Sequence, residues 1–329
     1  MSRHANIALF VPHIGCRQRC SFCDQNAITG QHILPKPEDV VNAVETAMRS
    51  PKYDPKTTEI AFFGGSFTAI DSQYRNSLLQ AAAPFVKRGD VCGIRISTRP
   101  DAIDEEILSE CKYYGVSAIE LGAQSLNDEV LSLNQRGHSV QDVRRACELI
   151  RADGFELGLQ MMTGRYGDTD ETALETAEQI IRLSPDTVRI YPTIVLQGTH
   201  LAKLVQQGVY RPQTVGEAVS LCAKLLERFF EADIPVIRLG LHSIDTDRYI
   251  AGPWHPAFSE LCYSKLYLTR ALTMLSVPGS YILYVNSSDV SKMVGQKRKN
   301  INYLADRGFQ CKVIPDPTLC KYEIRTERQ

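Results

Sequence analysis

Short apolar runs alternate with longer amphipathic segments over the first 240 residues of this chain. The runs predict strands near Ile7–Phe10, Ile60–Phe63, Gly93–Ser97, Ala118–Leu121, Glu156–Met161 and Thr187–Tyr191, with a candidate seventh at Val236–Leu239. Between them, helical periodicity falls near residues 38–49, 71–85, 101–113, 139–152, 171–183 and 215–231. Repeated strand–helix units imply a parallel sheet with helices outside. Such units close wholly or partly into a barrel whose chemistry gathers at the carboxyl ends of the strands.

The pattern changes near residue 250. Ala251-Gly252-Pro253-Trp254-His255-Pro256 reads as a linker or a domain junction. A helix near 257–275 follows, marked by Phe258, Leu261, Leu268, Leu272 and Leu275 at helical spacing. After the break at Pro278-Gly279 the pattern predicts a strand (Tyr281–Val285), a short helix (Ser288–Met293), the turn Gly295-Gln296-Lys297-Arg298, a helix (Lys299–Asp306) and two strands (Phe309–Ile314, Lys321–Arg325). The expected division is therefore an α/β domain over 1–250 and a small α+β domain over 251–329.

Composition adds three points. Hydrophobic content of 43% and charged content of 23% are those of an ordinary soluble domain. No apolar run reaches about 18 residues and the first run is too short for a signal peptide, so neither a membrane span nor export is expected. Ten cysteines then fit a reducing, cytoplasmic location. The net charge of −1 hides an asymmetry: residues 1–250 carry −6 and residues 251–329 carry +5. Two units with different partners are implied.

The strongest candidate chemistry is Cys16, Cys20 and Cys23, in the spacing CxxxCxxC directly after the first predicted strand. Three thiolates can hold three irons of a [4Fe–4S] cluster and leave the fourth iron open. Thiolate softness favours iron–sulfur over hard cations. An open iron suits a cofactor that chelates through an amine and a carboxylate, as S-adenosylmethionine does. Two other readings stand beside this one: zinc with a fourth ligand from His13 or His32, and a reactive thiol set without metal. The other seven cysteines (Cys92, Cys111, Cys147, Cys222, Cys262, Cys311 and Cys320) are scattered and read as buried apolar thiols.

The cysteine motif, with Phe22 before its last cysteine, resembles that of the radical S-adenosylmethionine (radical SAM) family. Glu59-Ile60-Ala61-Phe62-Phe63-Gly64-Gly65 resembles the family's second-strand glycine pair. Ser97-Thr98-Arg99-Pro100-Asp101, Glu120-Leu121-Gly122-Ala123-Gln124-Ser125, Arg136-Gly137-His138, Gln160-Met161-Met162 and Arg189-Ile190-Tyr191-Pro192-Thr193 with Gly198-Thr199 resemble the radical SAM half of the Elongator catalytic subunit. The likeness runs over about residues 4–245 and is specific in combination. Three departures qualify it. The gap between the first two cysteines is the shorter one, no Gly-Gly-Pro-rich segment lies near Cys16 to Gly30, and the chain has no room for the acetyltransferase domain. Wobble-uridine carboxymethylation is therefore not carried over, and a relative with its own substrate is expected.

The resemblance implies a partial (β/α)6 TIM-like barrel of the radical SAM type, a [4Fe–4S] cluster and S-adenosylmethionine as cofactors, and a ferredoxin or flavodoxin-type electron donor. It places Gly64 and Gly65 against the methionine end of the cofactor, where only glycine lets the backbone approach so closely. Arg99 is a candidate bidentate partner for the cofactor carboxylate or the member of a structural salt bridge. Ser97 is a candidate for the ribose or a locally satisfied hydroxyl. Gln124 is a candidate at a strand end. Gln160, Met161 and Met162 line either the adenosine space or the core. The face occupied by Glu120 depends on a register that sequence does not set. Tyr191 and His242 lie near later strand ends.

The order of the last elements resembles a minimal KH domain, whose GXXG loop clamps a nucleic-acid backbone. Here Arg298 stands in place of the second glycine, and Lys297, Arg298 and Lys299 add charge for phosphates. With Gly295 these are the candidate nucleic-acid contacts. The reading that follows is a radical SAM enzyme modifying RNA, in particular tRNA. Its rivals are a radical SAM enzyme on a small molecule, like the coproporphyrinogen oxidases, and a non-catalytic iron–sulfur RNA-binding protein.

Overall fold

The computed structural model describes residues 4–11, 16, 20–24, 33–241 and 244–329. His13, His32 and His242 lie outside the described residues. The chain divides into two compact units, residues 1–212 with 233–252, and residues 213–232 with 253–329.

The first unit is built on strands β1 (Ala5–Phe10), β2 (Thr58–Phe63), β3 (Gly93–Thr98), β4 (Val116–Gln124), β5 (Glu156–Thr163) and β6 (Thr187–Pro192). The short β7 (Val195–Leu196) comes next, then β8 (Val236–Leu239) and β9 (Tyr249–Ala251). The main sheet has the order β1-β2-β3-β4-β5-β6-β8, and every neighbouring pair is parallel. The sheet thus has seven strands, one more than the six-stranded expectation, because Val236–Leu239 pairs with β6. Strands laid down in chain order wind the sheet one way and curl it into a half-barrel. β7 and β9 form a separate antiparallel pair.

The strand sequences alternate, and the alternation separates two environments. Ile60 and Phe62, Ile94 and Ile96, Ile119 and Leu121, Leu157 and Leu159, and Val188 and Ile190 are all buried. Each buried side chain of this size contributes about 1.5–3 kcal/mol of apolar transfer. The intervening positions carry Glu59, Arg95, Ser97, Glu120, Gly158, Gln160 and Arg189, which meet one another across the concave face. The helices α1 (Pro37–Met48), α2 (Ser72–Arg88), α3 (Glu105–Tyr113), α4 (Asp128–Leu133), α5 (Val140–Ala152), α6 (Asp170–Arg182) and α7 (His200–Gln206) bury residues at helical spacing, such as Val143, Ala146, Cys147 and Ile150 of α5.

Their starts are written in the sequence. Asp71, Asp104, Asn127, Ser139, Thr169 and Thr199 each accept a hydrogen bond from the backbone two or three residues into the helix that follows. α2 continues past Pro84 to Arg88, where Gly89 at φ 76° closes it. The unassigned cysteines divide: Cys111, Cys147, Cys222 and Cys262 are buried as expected, Cys311 is half-buried, and Cys92 and Cys320 are exposed.

The second unit contains α8 (Val215–Glu231), α9 (Phe258–Met274), β10 (Gly279–Val285), α10 (Val290–Val294), α11 (Lys299–Ala305), β11 (Phe309–Pro315) and β12 (Ile324–Arg328). α8 belongs here although the linear division at residue 250 assigns it to the first domain. Its Glu227 pairs with Arg270 of α9 at 3.0 Å. The sheet order is β11-β10-β12, with β10 parallel to β11 and antiparallel to β12. Tyr267, Leu268, Ala271, Tyr281, Leu283, Val285, Met293 and Leu304 form its core.

The turn between α10 and α11 is tightly built. Gly295 sits at φ 75°, and a side chain there would meet Asn300 at 3.1 Å. The buried Asn300 amide donates to the carbonyls of Ser264 (2.9 Å) and Met293 (3.0 Å). Lys297 and Arg298 both adopt left-handed backbone, at φ 51° and 60°, and residues 296–299 are exposed.

Candidate active site at the carboxyl ends of the strands

Cys20 is buried, and Cys16 and Cys23 are half-buried. Cys20 and Phe22 pack with Val195, Leu201, Ala202, Leu204 and Tyr210, and Cys23, Met162 and Tyr166 join the rim of this cluster. The loop is also stitched by hydrogen bonds. Ser21 N donates to the Asn134 carbonyl (3.1 Å), Ser21 Oγ donates to Asn134 Oδ1 (2.7 Å), and Leu201 N donates to the Ser21 carbonyl (2.8 Å). Arg136 reaches the loop directly: its Nη1 donates to Cys20 Sγ at 3.0 Å. Burial pushes the Cys16 and Cys23 thiols up, Cys23 to about 12, and the negative charge of neighbouring sulfurs pushes them further. Such thiols ionise only against a positive charge, and iron supplies one on ligation.

Among the described residues, no three His, Cys, Asp or Glu side chains converge as they would around a single metal ion. In an iron–sulfur cluster each thiolate binds a different iron, so the sulfurs need not meet at one point. The donor set is soft and anionic once ionised, and a cationic donor from the protein faces it. These features fit a sulfur-ligated cluster.

After β2 the chain turns through Gly64 (φ 80°) and Gly65 (φ 57°), consecutive left-handed positions that favour glycine. The turn is tied to the end of β3: Ser66 Oγ lies 2.9 Å from Thr98 Oγ1 and accepts from Arg99 N at 3.1 Å. The Arg99 guanidinium is bidentate to Asp101, at 2.8 Å from both Nε and Nη2. It thus makes the structural salt bridge weighed for it, and it still lies near enough to favour the Cys16 thiolate.

Gln124 ends β4 in left-handed backbone (φ 64°), and its Oε1 is buried without a hydrogen-bond partner among the described residues. Arg136 Nε, His138 Nδ1, Thr163 Oγ1 and Arg165 Nε and Nη1 share that condition. Burial and the charge of Arg136 lower the His138 pKa to about 4. Polar atoms left unpaired at the ends of β4 and β5 and in the turns beyond them are costly, and a polar ligand at this rim would satisfy them.

Deeper in the half-barrel lies a charged network. Arg95 meets Glu59 at 2.7 Å, Glu156 at 2.9 Å and Glu120 at 3.5 Å. Glu120 also accepts from Arg189 Nη2 (2.5 Å) and Gln160 Nε2 (2.9 Å), and Gln160 Nε2 lies 3.4 Å from Ser97 Oγ. The register therefore turns Glu120 to the interior, beside Gly158, whose Cβ would strike its side chain at 2.9 Å. Burial opposes ionisation of Glu59, but His4 and Arg95 outweigh it and hold the pKa at about 2. The Arg189 guanidinium also lies over the Phe63 ring at 5.0 Å, close enough to Tyr191 for the two to influence each other's charge.

Ser97, Gln124, Gln160 and Met162 thus all belong to the concave side or its rim, whereas Met161 is fully buried in the core. Sequence reasoning gave no role to Arg136, Asn134, Arg165, Arg95 or Arg189. For Arg95 and Arg189 the available signal was charge at alternate positions of otherwise apolar strands, whereas Asn134, Arg136 and Arg165 lie outside the strands and carry no such signal.

A parallel half-barrel with a thiol-bearing loop after its first strand and unpaired polar atoms at its strand ends is an α/β scaffold with a candidate ligand site on one rim. Comparison with known families gives that scaffold its place. The radical SAM superfamily matches residues 10–180 and the radical SAM C-terminal domain matches residues 185–267. The chain belongs to the radical SAM superfamily and is a radical SAM enzyme.

It is 26% identical over 252 residues to a protein of Dehalococcoides mccartyi named tRNA uridine(34) acetyltransferase, covering 67% of this chain and 55% of that protein. It is 29% identical over 188 residues to human Elongator complex protein 3, covering 51% of this chain and 34% of that protein. The chain spans about a third to just over half of the length of the curated relatives it matches. Among solved structures, the archaeal Methanocaldococcus infernus Elp3 with an N-terminal deletion aligns with a TM-score of 0.64 at 22% identity, over 82% of this chain and 64% of that one. Coproporphyrinogen III oxidase from Escherichia coli aligns at 0.50 and 17% identity, over 70% of this chain and 53% of that one. Both share the fold.

Proposed function

We propose that Cys16, Cys20 and Cys23 hold a [4Fe–4S] cluster with one open iron, that S-adenosylmethionine binds beside it, and that the substrate is a tRNA. The observation that carries the reading is the buried, hydrogen-bonded Cys20 between half-buried Cys16 and Cys23, on a rim with unpaired buried polar atoms. When bound, the two cofactors would supply one-electron cleavage of a carbon–sulfur bond and hydrogen abstraction from the substrate.

The chain's own residues do the rest. Gly64 and Gly65 let backbone lie against the cofactor, and Gln124, Ser97, Gln160 and Met162 line its space. The apolar cluster around Phe22, Leu201 and Tyr210 excludes water from the sulfurs. A ferredoxin or flavodoxin-type protein delivers the electron.

The tRNA assignment is supported by the names of the similar proteins and by the basic carboxy-terminal segment. There the buried Gly295 shapes a turn whose exposed Lys297, Arg298 and Lys299 would meet phosphates, in the manner of a KH loop. The test is 5′-deoxyadenosine formation by anaerobically reconstituted protein with reductant, with and without total tRNA. Formation that rises with tRNA supports the assignment, and formation indifferent to tRNA overturns it in favour of a small-molecule substrate. Gly64→Val should abolish formation and leave RNA binding intact. An equal loss of both would contradict the cofactor role of that turn.

A further inference from the structure

Arg136 is buried, with 7% of its surface exposed, in the segment between α4 and α5. Among the described residues its planar fork makes two bonds: Nη2 to the Gly122 carbonyl at 2.7 Å, and Nη1 to Cys20 Sγ at 3.0 Å. Among the described residues no carboxylate pairs with it. A buried guanidinium without an anion is expensive, and a carbonyl oxygen does not neutralise it. The contacting group that can become an anion is the Cys20 sulfur. A neutral thiol is a weak acceptor, whereas a thiolate is a strong one. Ligation to iron would make that sulfur anionic, and the buried guanidinium is already placed to donate to it.

The placement of Arg136 is over-determined. Asn134, two residues earlier, takes both the backbone and the side-chain bond of Ser21. Its own amide donates to the carbonyls of Val130 and Tyr166, each at 2.8 Å. Gln135 is held in left-handed backbone at φ 55°, a strained state that persists only where surroundings impose it. The segment is thus clamped on both sides, with Arg136 delivered onto the sulfur.

We propose that Arg136 is a positioning residue of the iron–sulfur site: its Nη1–H fixes the Cys20 sulfur as a ligand, and its charge makes the cluster easier to reduce. The inference rests on the cluster reading of the three cysteines. Reduction adds one electron from the donor protein and one negative charge, with no bond made or broken. A fixed positive charge against a ligand sulfur in a dry site favours that added charge. The guanidinium acts through the sulfur and need not touch substrate.

The test is an EPR-monitored potentiometric titration of the reconstituted protein, with iron content measured on the same samples. Arg136→Met should keep the cluster and shift the reduction equilibrium about tenfold toward the oxidised form, ~59 mV for one electron. Arg136→Lys keeps the charge and should recover at least half of that shift. Asn134→Ala loosens the same clamp without touching the charge and should leave the potential near wild type. A midpoint in Arg136→Met equal to wild type overturns the proposal. So does a midpoint in Asn134→Ala as low as in Arg136→Met, because packing would then be the cause. If Arg136→Met fails to fold, Arg136→Gln, which also removes the charge, decides: a midpoint lowered in Gln and restored in Lys supports the proposal, and a wild-type midpoint in Gln overturns it. Wild-type protein that takes up no cluster overturns the cluster reading as well, and equal potentials with full iron overturn this inference alone.

Discussion

Replacing Glu120 by alanine removes the centre of the network inside the half-barrel. Its side chain is 1% exposed and sits between Arg189 at 2.5 Å and Arg95 at 3.5 Å, with Gln160 donating at 2.9 Å. Arg95 keeps Glu59 and Glu156, so its loss is partial. Arg189 keeps the Phe63 ring but, among the described residues, no carboxylate. Breaking a buried pair by removing one partner costs roughly 3–5 kcal/mol, because the remaining charge is left uncompensated.

For a unit of this size that corresponds to a melting temperature lower by roughly 6–20 °C. The assay is a double-mutant cycle with Glu120→Ala, Arg189→Met and the pair, read by urea unfolding. The pair should be less destabilised than the sum of the singles by at least about 1 kcal/mol. A Glu120→Ala cost below about 1 kcal/mol, or strict additivity, would refute the view that charge pairing organises the concave face.

Glu59 predicts an acid limb. Its pKa is lowered from 4.5 to about 2, so its stabilising contribution is full above the unfolded value and is lost as pH falls through about 2. Urea midpoints of wild type and Glu59→Gln between pH 5 and 2 should converge as the acid is approached, and parallel curves would contradict this. At Gly158 an alanine would press its Cβ on Glu120 at 2.9 Å and Thr187 at 3.2 Å, so Gly158→Ala should destabilise by about 1–3 kcal/mol in the same unfolding assay. If Lys297 and Arg298 meet tRNA phosphates, charge reversal at either should weaken tRNA binding across sequences and reduce the salt slope by about one per contact. Unchanged filter binding would place the RNA elsewhere.

Much of the fold was legible because local signals agreed with one another. Helix starts carried capping side chains such as Asp104, Ser139 and Thr214, and the strands were bounded apolar runs. The cysteine loop and the glycine pair stand out in the sequence because each is a local spacing. What escaped was either too short or too distant. α4 and α7 are six and seven residues long, below the span over which periodicity speaks. α2 was expected to stop near Pro84, yet the helix needs only one lost hydrogen bond to continue.

The facing of Glu120 depended on the register Ser97↔Glu120↔Gly158, which three separate strands decide together. Arg136 lies 116 residues from Cys20, so nothing in the local pattern announced their bond. α8 belongs to the second unit through packing against α9, a relation that a linear boundary does not express.

The central claim is that three cysteines hold a cluster whose fourth iron is open to S-adenosylmethionine. The most direct measurement is the EPR spectrum of the reduced, reconstituted protein before and after adding S-adenosylmethionine, for wild type and Cys20→Ala. The account predicts a spectrum in wild type that changes on addition, and no such cluster signal in the variant. A wild-type cluster whose spectrum is indifferent to S-adenosylmethionine would mean that no iron is open to it, and would contradict the account.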